Sequence, residues 1–144
     1  MAEYKRPLPE PTPETQHFWD GCLDGELKLQ KCDACEKSYF PPRAFCPACG
    51  SRNVSVYTAS GEATLYSYVI NHRPRPDMGT EPHSIAVVEL AEGPRMMTNV
   101  VDCPQTPEAL VLDMALQVTF EKASETINLP KFKPANSKKA GAKT

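Results

Sequence analysis

Cysteines are the residues of this 144-residue chain whose spacing points most clearly to chemistry. Four of the six form two C-x-x-C pairs separated by ten residues, Cys32 with Cys35 and Cys46 with Cys49. Four thiolates at this spacing are typical of a tetrahedral zinc site, which leaves no open position for water or substrate. The sequence therefore predicts structural zinc. Iron bound as in rubredoxin is the alternative, and it would make the chain an electron carrier.

The remaining cysteines and histidines show no arrangement that is typical of catalysis. Cys22 lies on an apolar stripe and Cys103 precedes a proline, and neither has a base at a recognisable spacing. No carboxylate pattern singles out one of the three histidines as a base. The chain also lacks a glycine-rich phosphate loop and a paired-carboxylate motif. We therefore predict no catalytic residue in this chain.

The N-terminal segment predicts an extended arm followed by a short helix. Proline at positions 7, 9, 11 and 13 favours polyproline II. Thr12 as an N-cap before Pro13 predicts a helix from about 13 to 24, with Phe18 and Trp19 on its apolar stripe. An isolated helix of about three turns is marginal in water. The stripe is therefore expected to pack either within this chain or on another subunit.

The rest of the chain predicts a mainly β protein. Leu27 and Leu29 alternate with polar residues before the first cysteine pair, which predicts a strand that leads into a metal-binding turn. Further strand-like runs occur at 54–57, 63–70, 84–90, 95–103 and 116–123, with a hairpin turn at 92–93 and a long loop at 71–82. Five short strands in this arrangement suit a small closed barrel, the oligonucleotide/oligosaccharide-binding (OB) fold. The predicted domains are an arm and helix at 1–26, a zinc ribbon at 27–57, a five-stranded OB-fold at 58–134 and a disordered tail at 135–144.

Composition and charge restrict the classes of function. The chain has no apolar run long enough to span a membrane and no export signal, so we expect a cytoplasmic protein that does not bind membranes. The last 15 residues carry five lysines and no acid, which leaves 11 basic and 18 acidic residues, a formal charge of −7, in the remainder. Such a body repels nucleic acid. A single-stranded nucleic-acid module remains an alternative because OB-folds are common in such proteins.

Several segments taken in order resemble a known family. They are GELKLQKCDACEKSYFPPRAFCPACGS, SGEATLYSY, SIAVVELAEGPRMM and LQVTFEKA with INLPKFKP, and the resemblance spans about residues 14 to 134. Together they are similar to the acyl-CoA-associated family called domain of unknown function 35. The resemblance implies a helical arm, a rubredoxin-like zinc ribbon and an OB-fold. One departure is Glu62 and Ala63 after the Ser-Gly that opens the barrel, where the family often has a basic residue and then glycine.

The resemblance also implies a function. Members of the family resemble accessory subunits of thiolase-fold enzymes that degrade aromatic or steroid acyl-CoA compounds, among them the zinc-finger subunit of benzoylsuccinyl-CoA thiolase. It implies a thiolase-like catalytic partner that carries out CoA-dependent thiolysis of a β-ketoacyl-CoA, with a retro-aldolase, an acyltransferase or a hydratase as alternatives. Phe18 and Trp19 are candidates for the partner interface. The candidates for contact with CoA or the partner are Lys31, Lys37, Arg43, Arg52, Arg73 and Arg75.

Overall fold

The computed structural model describes residues 6–135, so the ends of the predicted arm (1–5) and of the predicted tail (136–144) lie outside the described residues. The described range forms one α-helix, a turn of 3-10 helix at Pro76–Met78, and eight strands. These elements are α1 (Gln16–Leu23), β1 (Lys28–Cys32), β2 (Ser38–Tyr39), β3 (Val54–Thr58), β4 (Glu62–Asn71), β5 (His83–Leu90), β6 (Arg95–Thr98), β7 (Ala115–Lys122) and β8 (Asn128–Pro134). They make up a mainly β protein with a zinc ribbon and an OB-like sheet, as predicted.

Helix α1 begins three residues later than the sequence predicts. Thr12 and Thr15 form a turn instead, in which Thr15 N donates to Thr12 O at 3.0 Å and Thr12 N donates to Thr15 Oγ1 at 2.9 Å. The amide of Thr15 is thus bonded to the carbonyl of Thr12 and not to its hydroxyl, so Thr12 is not the N-cap and the helix starts at Gln16 after Thr15. Within residues 6–135, no helix is long and apolar enough to cross a membrane.

The first sheet is the ribbon, with strand order β2-β1-β3 and antiparallel pairing throughout. Strand β3 pairs with β1 along its whole length, from Lys28 opposite Thr58 to Cys32 opposite Val54. The run at 54–57 therefore pairs within the ribbon, inside the predicted ribbon bounds of 27–57, and is not one of the five barrel strands among which it was also counted. Its residues alternate like those of a barrel strand, and only the long-range pairing with β1 distinguishes the two assignments.

The second sheet has the order β6-β5-β4-β7-β8 and is antiparallel between neighbours. Strand β5 shows the expected period of two, with Ser84, Ala86, Val88 and Leu90 buried and the residues between them more exposed. In β4 the register shifts between Leu65 and Ser67, and such a bulge increases the local twist of a sheet. The hairpin turn predicted at 92–93 joins β5 to β6, and the long loop predicted at 71–82 joins β4 to β5.

The fifth barrel strand is β8, and it closes the curled sheet. Phe132 N donates to Asn99 O at 3.1 Å and Val101 N donates to Phe132 O at 2.7 Å, so β8 runs parallel to the segment that follows β6. The sequence analysis did not identify this strand, because Pro130 and Pro134 interrupt its pattern. Proline is tolerated where a strand lies at an edge and its missing N–H is not needed.

One apolar core joins the helix, the ribbon and the barrel. Phe18 and Cys22 of α1 are 3% and 0% exposed, and Leu27 and Leu29 at the start of the ribbon are each 1% exposed. They pack in the same cluster as the barrel side chains, among them Phe132, which is 0% exposed. For Phe18 the packing within this chain is thereby established, and its place at a partner interface stays a prediction. Trp19 is half-buried beside it, with the two ring centroids 4.9 Å apart.

Candidate metal centre

The four predicted ligands meet at one end of the ribbon. The sulfur atoms of Cys32, Cys35, Cys46 and Cys49 all lie within 4.8 Å of one another. Two of the distances, Cys32 Sγ to Cys49 Sγ and Cys35 Sγ to Cys46 Sγ, are both 3.6 Å. Four sulfurs about 2.3 Å from a tetrahedral zinc ion lie about 3.8 Å from each other. The geometry and the donor set therefore fit zinc.

Two turns of the same design hold the ligands. Cys32 O accepts from Glu36 N at 2.7 Å and Cys46 O accepts from Gly50 N at 2.8 Å. Ala34 N and Ala48 N each donate to the first sulfur of their own pair at 3.3 Å. The residue that follows each pair has a positive φ, 68° at Glu36 and 81° at Gly50. Residues 32–37 and 46–51 are thus two equivalent knuckles that aim their sulfurs at a common point.

Backbone amides also prepare the first sulfur of each pair for the metal. The N–H of Cys35 donates to Cys32 Sγ at 3.4 Å, and this bond, together with those from Ala34 N–H and the neighbouring thiols, lowers the pKa of the Cys32 thiol to about 7, although burial opposes it. The pKa of Cys46 is likewise lowered, with bonds from Cys49 and Ala48 outweighing burial. A lower pKa favours the thiolate, which is the form that binds metal. The knuckle therefore favours the metal-binding state of Cys32 through its own backbone.

A buried glutamine that the sequence analysis did not identify holds the link between the knuckles. Gln30 is 6% exposed, and its Oε1 accepts from Arg43 N at 2.6 Å. The hydroxyl of Tyr39 donates to Arg43 O at 3.0 Å. Both polar groups of the Arg43 backbone are thereby fixed, next to a cis peptide bond between Phe40 and Pro41. Strand alternation gave no signal for Gln30, because its function depends on a contact 13 residues away.

The predicted basic contact residues all lie at the surface, but in two different settings. The four of the ribbon are exposed, and in the part of the chain that the structure describes none of these side chains forms an ion pair: Lys31, Lys37, Arg43 and Arg52. In the loop after β4, Arg75 donates to both carboxylate oxygens of Asp77, at 3.1 and 2.5 Å. This pair neutralises Arg75, and Arg73, like Arg75, is exposed.

The thiols outside the cluster are poorly suited to nucleophilic attack. Cys22 is fully buried, and burial raises the pKa of its thiol to about 12. Burial, together with the charge of Asp102, also raises the pKa of Cys103. Cys103 lines a polar cavity with His83, whose buried Nδ1 has no hydrogen-bond partner among the described residues. Both thiols therefore remain protonated near neutral pH, and only the thiolate is a good nucleophile.

Family models match the ribbon and the barrel separately. Residues 19–55 match the rubredoxin-like zinc ribbon domain of ChsH2, and residues 56–121 match the C-terminal OB-fold domain of ChsH2. The ribbon match contains all four sulfur ligands. Together with the cluster of four sulfurs, this match identifies the site as a zinc site.

Curated relatives include both short and long proteins. The chain is 32% identical over 97 residues to a DUF35 domain-containing scaffold protein of Methanocaldococcus jannaschii, covering 66% of this chain and 67% of that protein. It is 32% identical over 130 residues, 90% of this chain, to a probable enoyl-CoA hydratase alpha subunit of Thermomonospora curvata. A 3-oxo-4,17-pregnadiene-20-carboxyl-CoA hydratase alpha subunit of Mycobacterium tuberculosis is 30% identical over 112 residues. This chain spans only 40% and 35% of the length of the two hydratase subunits.

Solved structures agree with the sequence relatives. A chain of the Ltp2-ChsH2(DUF35) aldolase superposes with a TM-score of 0.78 at 30% identity, and the match covers 88% of this chain and 98% of that one. A protein of unknown function from the DUF35 family of Sulfolobus solfataricus superposes with a TM-score of 0.59 at 15% identity, which shows a shared fold. The chain therefore belongs to the DUF35 family, with the ribbon and OB-fold arrangement of ChsH2.

Proposed function

We propose that this chain is the non-catalytic, zinc-binding accessory subunit of a thiolase-type acyl-CoA enzyme. The partner would carry out CoA-dependent thiolysis of a β-ketoacyl-CoA in the degradation of an aromatic or related compound. In this reaction a cysteine thiolate of the partner attacks the β-keto carbon, the bond between the α and β carbons breaks, and the α-carbon takes a proton and leaves as the first acyl-CoA. The thiol of free CoA then takes the remaining acyl group from the cysteine, which regenerates the thiol. The zinc ion has a structural role, and the reduced thiolates that bind it suit a cytoplasmic enzyme.

One observation carries the accessory role. The protein supplies all four sulfur ligands of the zinc site, so zinc has no open position at which to activate water or a carbonyl group. The two remaining thiols have raised pKa values and are partly or fully buried. Neither of these two thiols is therefore activated as a nucleophile. We therefore assign the cleavage of the acyl-CoA to a partner subunit.

An aldolase is the second candidate for that partner. The Ltp2-ChsH2(DUF35) aldolase chain is matched over 98% of its length at 30% identity. A retro-aldol cleavage also breaks a carbon–carbon bond next to a carbonyl group, but it needs no free CoA as acyl acceptor. The requirement for CoA therefore distinguishes the two partners.

The unpaired basic residues of the ribbon are our candidates for contact with CoA phosphates or with acids of the partner. Lys31, Lys37, Arg43 and Arg52 are exposed, and arginine in particular binds phosphate through two parallel hydrogen bonds. Their contribution should appear as binding energy that ground state and transition state share. Substituting Arg52 by alanine should therefore raise KM for the acyl-CoA without changing kcat. Lys122→Ala, which removes an exposed lysine paired with Glu125 on the barrel, is the matched control.

Reconstitution tests the proposal directly. The tagged chain is purified from its host, and the companion protein is identified by mass spectrometry and produced separately. Acyl-CoA cleavage is then measured for each protein alone and for the mixture, with and without free CoA. We expect activity from the mixture only, with stoichiometric consumption of CoA. Equal turnover by this chain alone refutes the accessory role, and cleavage without CoA identifies the aldolase alternative.

A further inference from the structure

A cavity lies on the barrel where the first residues of β4 and β7 meet the last residues of β5. Its volume is about 610 Å³. Cavities of about 300 to 1,000 Å³ are typical of binding sites. Much of its wall consists of residues with little or no side chain: Ala63, Ala91, Gly93, Ala115 and Ala135. Such a wall allows the backbone of another segment to approach closely.

The charge of this cavity is negative. Among the described residues that line it, Glu62 and Glu89 are acidic and none is basic. Glu62 is exposed and forms no ion pair with any residue of 6–135, whereas Glu89 lies 3.8 Å from Arg95. Lys133 lies opposite Gln117 on β7 but does not line the cavity. The cavity therefore offers the carboxylate of Glu62 to a basic ligand.

The chain itself leaves the sheet at this cavity. Ala135, the last described residue, lines the cavity, and its N–H donates to Ala115 O at 3.0 Å. Ala115 lies opposite Thr64 of β4, and Thr64 lies opposite Glu89 of β5. Because neighbouring strands are about 4.8 Å apart, the row from Ala135 to Glu89 spans roughly 14 Å. The residues that follow Ala135 therefore start close to both acids.

Residues 136–144 carry the charge that the cavity lacks. They contain Lys138, Lys139 and Lys143 and no acid. A chain extends at most about 3.3 to 3.6 Å per residue, so Lys138 and Lys139 can lie up to roughly 10 to 14 Å from Ala135. With the length of the lysine side chain added, this reach includes Glu62. Residues 140–142, Ala-Gly-Ala, also suit a wall of small side chains.

We propose that residues 136–144 bind in this cavity of their own chain, with Lys138 or Lys139 paired with Glu62. An exposed ion pair is weak when it stands alone. Here the two charges belong to one short chain, so the local concentration of the lysines is in the millimolar range and weak contacts are enough. The inference gives a position to a segment for which the sequence alone predicts disorder. It does not depend on the proposed function.

Cross-linking of the full chain with a carbodiimide tests the inference. The reagent activates a carboxylate, and a neighbouring lysine amine then forms an amide bond with it, which mass spectrometry locates. We expect cross-links from Lys138 or Lys139 to Glu62 and Glu89. Their yield should fall at high salt, because salt screens exposed charges. Lys122 and Glu125, whose charged atoms are 3.5 Å apart, provide the positive control.

Matched charge reversals show whether attraction places the segment. Glu62→Lys should lower the yield of cross-links from residues 136–144 to Glu89 at least about threefold, because repulsion replaces attraction. Glu125→Lys, the same reversal beyond the far end of β7, should change that yield less than about 1.5-fold. Both side chains are exposed, so both variants should keep the zinc content and thermal unfolding of the wild type. Adding Lys138→Glu and Lys139→Glu to Glu62→Lys should restore a cross-link between these positions.

Several outcomes would overturn the inference. One is a set of cross-links from residues 136–144 that is scattered over other exposed acids, such as Glu10 and Glu108, or is absent. Another is an equal yield to Glu89 with and without Glu62→Lys. In a mixture of isotope-labelled and unlabelled chains, cross-links that join a labelled to an unlabelled peptide would show that a second copy supplies the segment.

A basic segment of the catalytic partner is the remaining competitor for the cavity. Cross-links from Glu62 to the companion protein, with none to residues 136–144, would identify that occupant and overturn the proposed one. Reconstitution tests the accessory role by a separate measurement, acyl-CoA cleavage. Either proposal can therefore fail while the other stands.

Discussion

The ribbon and the barrel are stabilised by different means. At the metal end of the ribbon, the buried side chains are mostly polar or metal-binding: Gln30, Cys32, Tyr39 and Cys46. The barrel buries an apolar cluster in which Leu65, Val88, Val100, Leu116 and Phe132 are each 0% exposed. The ribbon therefore depends on its metal, whereas the barrel depends on its core.

The free energies that these interactions contribute explain why the chain needs both a zinc ion and an apolar core. Burying a large apolar side chain stabilises a fold by roughly 1.5 to 3 kcal/mol, and the barrel buries many such side chains. A small zinc finger buries too few apolar side chains to be stable alone, but structural zinc supplies about 10 to 16 kcal/mol of apparent binding energy. The two regions are not independent, because Leu27 and Leu29 extend the barrel core into the ribbon.

Loss of the metal should have the largest effect and should affect the ribbon most. Cys46→Ser removes a buried ligand, and we expect it to abolish most of the zinc affinity, whose apparent value is about 10 kcal/mol or more. Amide hydrogen exchange should then show loss of protection in β1 and β3 while β5 and β7 stay protected. Cys103→Ser is the control, since it changes a thiol outside the site and should leave the zinc content at one ion per chain. If the amides of β1 and β3 stay protected from exchange without metal, the ribbon does not depend on its metal and the contrast with the barrel is wrong.

Truncation of a side chain in the barrel core should destabilise the barrel most and should leave zinc binding by the ribbon intact. Phe132→Ala removes a ring that is 0% exposed, and we expect it to lower the free energy of unfolding by about 3 to 5 kcal/mol in urea. Phe45→Ala makes the same change on the ribbon, where the ring is 45% exposed, and should cost less than about 1 kcal/mol. Both variants should still bind zinc at low urea. If Phe132→Ala releases the zinc before the barrel unfolds, the two regions are coupled more tightly than their separate stabilisation implies.

The sequence predicts the metal centre well because its determinants are local. The two C-x-x-C pairs, with Gly50 after the second, contain nearly all the information that the knuckles need, and the four ligands were identified in full. The order of helix, ribbon and barrel was also predicted, from strand patterns and the family resemblance. The basic contact residues remain predictions, because nothing in the isolated chain shows what they contact.

The errors concern contacts between residues that are distant in the sequence. The assignment of the run at 54–57 depends on its pairing with β1, and β8 pairs with β7 and with the segment after β6 despite its prolines. Gln30 forms its hydrogen bond with a backbone amide 13 residues away. A periodic pattern shows that a segment alternates, but it does not show which neighbour the segment pairs with. The sequence alone therefore left these assignments open.

A glycine at the start of the barrel should be more sensitive to substitution than the glycine in the hairpin turn between β5 and β6. Gly61 has a φ of 83°, and a Cβ atom there would lie 2.6 Å from Val118 Cγ1. Gly61→Ala therefore combines a left-handed backbone with a steric clash, and we expect it to lower the free energy of unfolding by about 2 to 4 kcal/mol. Gly93→Ala is the control for the backbone term alone, since φ is 115° but no atom lies within 4 Å of its Cβ position. Equal losses for the two variants, measured by urea unfolding, would show that the space around Gly61 relaxes without cost.

The smallest expected effects compare the two knuckles with each other. Gly50 and Glu36 occupy equivalent positions, with φ values of 81° and 68°, and no atom lies within 4 Å of the Cβ position of Gly50. Gly50→Ala should therefore weaken the ribbon by about 1 kcal/mol through backbone strain alone. Glu36→Gly should relieve the same strain, but it also makes the unfolded chain more flexible, so the net gain should be about 0.5 kcal/mol. Competition with a zinc chelator measures both changes as opposite shifts in apparent zinc affinity. Shifts of the same sign would contradict the equivalence of the knuckles, because only a difference in their surroundings would then explain the result.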